Sequence, residues 1–396
     1  MTLHLHAALT ALCALACAAT APAAWARRIT LNDTGMTQCI NHQKQWSSEC
    51  AKSRQDAADG RDSRAADPND GEAGFSFRKV CRSGQMAGEG SCPADPVLGT
   101  GPDDWGCVYD NVTELTWETK TSDGGTHDGN HFFTNKGGKA SDDEHDAAWL
   151  ADATNAEALC GATNWRLPDV PELQSVVNYG AGTPNGGAPL VDRTFFPNTF
   201  PWQTWTRTQD RLDPKSRWHV NFQEGGTGVA KGFDARSVRL VHRVSHAAAL
   251  RSSVAKDRFV TSPDGTELTD NLTRLIWPRC PAGMVWNDGT QTCTGTATQF
   301  SWVAAQDYAA ANRQGGWRIP NTKELFSIVD FTTPSPAIDH VAFPNTPTSP
   351  PFLSSTPFDD VGVISVQVVW FFRGAIEQID AYSTRWPLRL VRRGRE

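Results

Sequence analysis

Apolar and polar residues alternate through Asp110-Asn111-Val112-Thr113-Glu114-Leu115-Thr116-Trp117 as on a strand with one buried face. The same pattern returns at Asp270-Asn271-Leu272-Thr273-Arg274-Leu275-Ile276-Trp277. An Ala-rich stretch follows in each half, over 143–159 and 302–312, and predicts a helix. Each leads to Trp165-Arg166-Leu167-Pro168 or Trp317-Arg318-Ile319-Pro320. Immediately afterwards Asp169 with Glu172, and Asn321 with Glu324, stand at N-cap and N3 spacing, and Pro171 suits the first turn, so a second helix is predicted to start there. Strands are expected over 218–222 and 361–372, with closing strands over 238–243 and 388–393.

Two further blocks recur in the same order. Phe196-Pro197-Asn198-Thr199 matches Phe343-Pro344-Asn345-Thr346, and Arg239-Leu240-Val241 matches Arg389-Leu390-Val391. A period of roughly 150 residues is the size of a domain, so the chain reads as a tandem duplication. The expected division is a signal segment 1–26, a polar cysteine-containing extension 27–104 packed against the first module, module one over 105–243, a link 244–257, and module two over 258–396. Equivalent core positions are expected at Trp117 and Trp277, Trp165 and Trp317, and Phe196 and Phe343, all six rings mostly buried.

Taken together, the Trp-Arg-Leu/Ile-Pro string, the capped Glu-Leu helix, Phe-Pro-Asn-Thr and the closing Arg-Leu-Val resemble the Lcl C-terminal domain family, a bacterial module named after a collagen-like adhesin. That family is similar to the C-type lectin-like and formylglycine-generating-enzyme superfamily. The resemblance therefore implies an α+β fold, two tandem C-type lectin-like modules, each with two helices around a twisted antiparallel sheet. Module two keeps the family pattern more closely, with Pro336-Ala337-Ile338-Asp339 and Phe352-Leu353-Ser354-Ser355-Thr356-Pro357. Module one has Trp202-Gln203-Thr204-Trp205-Thr206-Arg207 at the latter place, so the copies are not expected to share a ligand.

Composition adds the compartment. The first 26 residues carry no Lys, Arg, Asp or Glu, and the apolar run over 5–20 before Ala24-Trp25-Ala26 predicts an export signal, hence a secreted, periplasmic or cell-surface protein. No other stretch approaches the roughly 18 apolar residues of a membrane helix. Eight cysteines follow the signal: Cys39, Cys50, Cys81, Cys92, Cys107, Cys160, Cys280 and Cys293. An even count in an exported chain predicts disulfides. Spacing suggests pairing of sequence neighbours, although many connectivities stay open. A net charge of −7 argues against broad nucleic-acid binding, the one concentrated basic segment being 389–395.

Candidate chemistry is sparse. Metal-binding Cys-x-x-Cys pairs, Gly-x-Ser-x-Gly and His-Glu-x-x-His are all missing from the sequence. Trp286-Asn287-Asp288 spells a lectin calcium motif but lies too early in its module, and the copper-ligating cysteines of the related oxidases have no counterpart after Cys293, so no enzyme is expected. Asp56, Asp59, Asp62, Asp67, Asn69, Asp70 and Glu72 have the oxygen density of a calcium loop, with a solvated acidic loop as the alternative; no other cofactor is expected. His127 and His131 flank Asp128 and would suit a transition metal if they converged. The repeated Trp-Arg pair reads as framework. Recognition is expected on the variable stretches 180–206 and 331–355, with Trp202, Trp205 and Arg207 as ligand contacts, against the alternative that both indoles fill the core. The function expected is a secreted or cell-surface, adhesin-like binding protein for a glycan or an envelope protein. A structural envelope component, or an enzyme, is the alternative.

Overall fold

Asp110 ends one strand and folds the chain back on itself. Its carboxylate accepts the Val112 amide at 2.9 Å and the Thr113 hydroxyl at 2.7 Å, and Glu114 then takes φ 57°. Asp270 does the same with Leu272 at 3.0 Å and Thr273 at 2.9 Å, followed by Arg274 at φ 61°. The repeated block is thus the turn of a β-hairpin plus its second strand, Leu115–Glu118 or Leu275–Pro278, rather than one continuous strand. Asp and Thr side chains bonding nearby amides are the usual builders of such turns.

The computed structural model describes residues 31–59, 74–137, 143–182, 187–243, 258–333, 335–360, 362–382 and 384–393. The expected signal segment, the acidic loop beyond Asp59 and the link 244–257 lie outside the described residues. Each module holds a four-stranded antiparallel sheet and a three-stranded one, in the same order. In module one the first runs Phe77–Cys81, Trp105–Asp110, Leu115–Glu118, Val241–His242, and the second Gln203–Gln209, Ser216–Asn221, Thr227–Lys231. Module two repeats this with Phe259–Thr261, Glu267–Asp270, Leu275–Pro278, Arg392–Arg393, then Phe352–Asp360, Val363–Trp370, Ala375–Asp380. Matching strand order supports the duplication. The first strand of module one lies within the segment read as extension.

The expectation of two lectin-like α+β modules is overturned. Helix amounts to only 14%, in five short α-helices among the described residues, while several small antiparallel sheets carry the fold. The local reasons are visible. The first helix shrinks to Ala147–Ala156, capped by Asp146, and the chain leaves it through Ala158 at φ 50°. Its counterpart is Trp302–Ala311. The second helices are the capping boxes and little more, Val170–Ser175 and Thr322–Phe326. Such short helices cannot frame a sheet, and most of the buried surface falls to strands.

The extension divides. Residues 31–36 thread the junction, where Asn32 donates to Asp110 of module one at 2.6 Å and the Tyr179 amide reaches the Thr34 carbonyl at 2.8 Å. Residues 39–59 then lie on module two, not on module one as expected. Ile40 and Trp46 pack among Trp302, Leu353, Val366 and Leu388, and Trp46 Nε1 donates to Asp359 at 3.2 Å. The modules also share one contiguous core, in which Trp218 meets Phe331 edge to face at 5.1 Å. Across the same junction the Ile376 amide donates to Thr227 Oγ1 at 2.9 Å.

Candidate functional site

The repeated motifs converge on framework. Arg166 forks onto Glu172 at 2.7 Å through both terminal nitrogens, and Arg318 onto Glu324 at 2.6 and 2.5 Å. Each glutamate also accepts the N-cap amide of its own helix, so the arginine holds the capping box in register. Of the six rings expected to be mostly buried, five are buried outright and Trp317 is partly buried beneath Arg392. Arg239 and Arg389, both buried, lie over Phe196 and Phe343 and donate to Thr199 and Thr346 at 2.7 and 3.0 Å. The third and fourth repeated blocks therefore form one buried knot in each module.

Module one adds an ionic cluster with no counterpart among the described residues of module two. The fully buried Glu118 accepts Lys120 Nζ at 2.7 Å, contacts His127 Nδ1 at 2.7 Å and accepts the Leu240 amide at 2.8 Å. His127 Nε2 meets Glu157, which Arg82 also reaches at 3.2 Å. Burial works against the charge of His127, but its two carboxylate partners raise it to about 9. Burial likewise penalises Glu118, yet Lys120 and His127 hold it down to about 2. His127 is thus enclosed by carboxylates while His131 is exposed, so the two histidines do not converge. Among the described residues no group of three or more His, Cys, Asp or Glu is placed to hold a metal. Of the acidic loop, Asp56 is buried and takes the hydroxyls of Thr34 and Thr356, each at 2.7 Å, and Asp59 lies 4.0 Å from Arg313; the members from Asp62 on lie outside the described residues.

The three expected contact residues separate. Trp202 is 55% exposed. Trp205 is fully buried under Arg236 and donates its indole N–H to the Phe133 carbonyl at 2.8 Å, so the structure corrects its assignment to a contact surface. The strand Gln203–Gln209 turns that side chain inward. Arg207 is partly exposed and forks onto Asp169 at 2.9 and 2.7 Å.

Sequence reasoning missed two further exposed rings of module one. Phe132 packs edge to face on Phe200 at 4.7 Å and stays 38% exposed, and Phe233 is 68% exposed. Their segments adjoin, since Phe133 and Arg236 exchange backbone hydrogen bonds of 2.8 and 3.0 Å. Lone phenylalanines in polar turns were the available signal. Trp286-Asn287-Asp288 sits on a two-stranded hairpin closed by Cys280–Cys293, with Arg279 stacked 3.8 Å over the indole.

The geometry defines two copies of one β-rich, disulfide-braced domain. Residues 106–242 and 266–392, about two thirds of the chain, match the Lcl C-terminal domain, and the chain belongs to that family. Neither a curated protein nor a solved structure matches the chain. The tandem domains fit a cell-surface or secreted protein, as do the four disulfides, Cys39–Cys50, Cys81–Cys92, Cys107–Cys160 and Cys280–Cys293. No helix among the described residues is long and apolar enough to cross a membrane.

Proposed function

We propose that this protein is an adhesin-like binding protein of the cell exterior, without catalytic activity, and that the aromatic face of module one recognises a surface glycan. The observation that carries the reading is Trp202, 55% exposed and two residues from Phe200, whose ring packs edge to face with the partly exposed Phe132 at 4.7 Å. An exposed indole gives the flat apolar contact on which a sugar ring stacks. Arg207, held rigid by Asp169, supplies a polar edge. Module two has no counterpart to Trp202, in keeping with one glycan-reading module and one that anchors the N-terminal segment.

Glycan-array binding of the wild type and of Trp202→Ala tests the reading. Loss of at least about ten-fold in affinity at an unchanged melting temperature is expected, since aromatic anchors dominate such surfaces. Array binding that is equal in the variant, or absent in both proteins, would refute it.

A further inference from the structure

A thread that belongs to neither module ties the two together. Asn32 is bonded to Asp110, and the Thr34 carbonyl to the Tyr179 amide, both partners in module one. Asp33 stands between them and turns to module two, where its Oδ1 accepts Asn321 Nδ2 at 3.1 Å and its backbone carbonyl accepts Lys323 Nζ at 2.6 Å. Lys323 is buried and also reaches the Ser175 carbonyl of module one at 2.8 Å. The thread lies close against module one, since a Cβ on Gly180 would stand 1.8 Å from the Gly35 carbonyl oxygen.

The strap that follows, residues 39–59, holds the thread in place. Thr34 donates its hydroxyl to Asp56 Oδ2 at 2.7 Å, and Thr356 of module two donates to the same oxygen at 2.7 Å. Gln55 brackets the backbone of Ile40 with two bonds of 2.8 Å, and Cys39–Cys50 closes the strap. Thread, strap and module two therefore meet on one buried carboxyl oxygen. Facing it are Asp33 from the thread, Glu324 and Arg318 from module two, and Tyr179 from module one. Arg318 is forked onto Glu324 and Lys323 is bonded to carbonyls, so an ionised Asp56 meets two further carboxylates. Asp59, on the same helical turn, lies toward Arg313.

We infer that residues 32–34 are a clasp between the modules and that Asp56 is its catch. With the carboxyl protonated, the strap holds the thread between the modules. With it ionised beside Asp33, the strap lifts, the thread slackens and the hydrogen bonds of the junction open more often. The shared core keeps the modules in contact in both states. Burial, and after it Asp33, push the carboxyl up from 3.8 to about 7, so closure is complete below pH 3.8 and is lost as the pH rises to 7. Each pH unit in that window weakens closure about ten-fold. The clasp is independent of the glycan reading and can fail or stand without it.

Hydrogen exchange of the full chain at pH 5 and pH 8, corrected for the intrinsic rate, is the test, read by mass spectrometry in the peptides that carry the Tyr179 and Ile376 amides. Tyr179 is bonded to the thread, and Ile376 to Thr227 across the junction. Both should exchange at least about ten-fold faster at pH 8, whereas the Arg166 amide, bonded to Val241 within module one, should not change. Asp56→Asn keeps a neutral side chain and should abolish the difference. Lys323→Met cuts the tie between thread and module two but leaves the catch, so the junction should exchange fast at both pH values while residues 39–50 keep their pH response. Equal protection of the junction amides at pH 5 and pH 8 in the wild type would overturn the inference, whether or not residues 39–50 respond. So would a pH difference that survives Asp56→Asn, or a Lys323→Met junction that exchanges like the wild type.

Discussion

Glu118 and Pro278 occupy the same place in the two modules, directly after a buried tryptophan, and the backbone carbonyl of each accepts a buried arginine, Arg239 at 2.5 Å and Arg389 at 2.6 Å. Only Glu118 brings a carboxylate to that arginine. Burial lowers both guanidiniums, Arg239 to about 10, where Glu118 opposes the shift, and Arg389 to about 9, where no carboxylate does. Both therefore remain cationic near neutrality, and module two holds a buried charge on carbonyls, Thr346 and the Phe343 ring alone. The duplication kept the knot and let its electrostatics diverge.

The stability of module one should follow from that cluster. Glu118→Gln leaves the buried Lys120 without its carboxylate and His127 with Glu157 alone, and a loss of about 3 kcal/mol or more is expected in denaturant unfolding. The pH profile is a sharper check. His127 is raised from 6.5 to about 9, so its contribution is complete below pH 6.5 and is lost as the pH climbs through 9. Glu118 is depressed from 4.5 to about 2, so its contribution is complete above pH 4.5 and is lost on acidification through 2. In His127→Gln the alkaline decline should flatten, and an unchanged slope between pH 6.5 and 9 would show that the cluster is not what titrates.

Asp56 makes the opposite prediction for the N-terminal segment. Burial, and then the nearby Asp33, raise its carboxyl from 3.8 to about 7 despite the hydroxyls of Thr34 and Thr356. The neutral form is favoured when the segment is docked, so docking is strongest below pH 3.8 and weakens as the pH rises from there to 7, after which it levels. Hydrogen exchange of residues 39–50 should therefore be faster at pH 8 than at pH 5 after correction for the intrinsic rate. In Asp56→Asn the difference should vanish. Equal protection at both pH values in the wild type would count against it.

Removing disulfides should separate the modules. Cys107 and Cys160 close 53 residues and Cys280 and Cys293 only 13, so chain entropy ascribes about 1 kcal/mol more to the former. Paired Cys→Ala variants compared by urea unfolding should show that order. The reverse order would mean that strain or residual structure outweighs loop length.

What the sequence made legible was local. Both capping boxes and the three short-loop disulfides depend on side chains within a few residues of one another or on a short closing loop, and their chemistry can be read without the fold, whereas the Asp-Asn-x-Thr block read as a strand and is a turn. Helix length was over-read because Ala-rich composition at 143–159 favours helix, whereas Asp146 and the left-handed Ala158 set the limits. The docking of residues 31–59 on module two was illegible, since Thr356 and Lys323 lie roughly 300 residues from the aspartates they hold.

Trp202 and Trp205 show how one variable stretch divides between recognition and core, and their variants provide the last check. Trp205 fills the interior beneath its strand, so Trp205→Ala should cost about 3–5 kcal/mol through the cavity it leaves and the Phe133 carbonyl it abandons. Trp202 projects into solvent and should cost less than about 0.5 kcal/mol. Differential scanning calorimetry of the two single variants distinguishes them, because only the Trp205 variant should melt many degrees lower. If both melt with the wild type, Trp205 is not the core residue its burial makes it. If both fall together, Trp202 is part of the packing, and the aromatic face loses its principal contact.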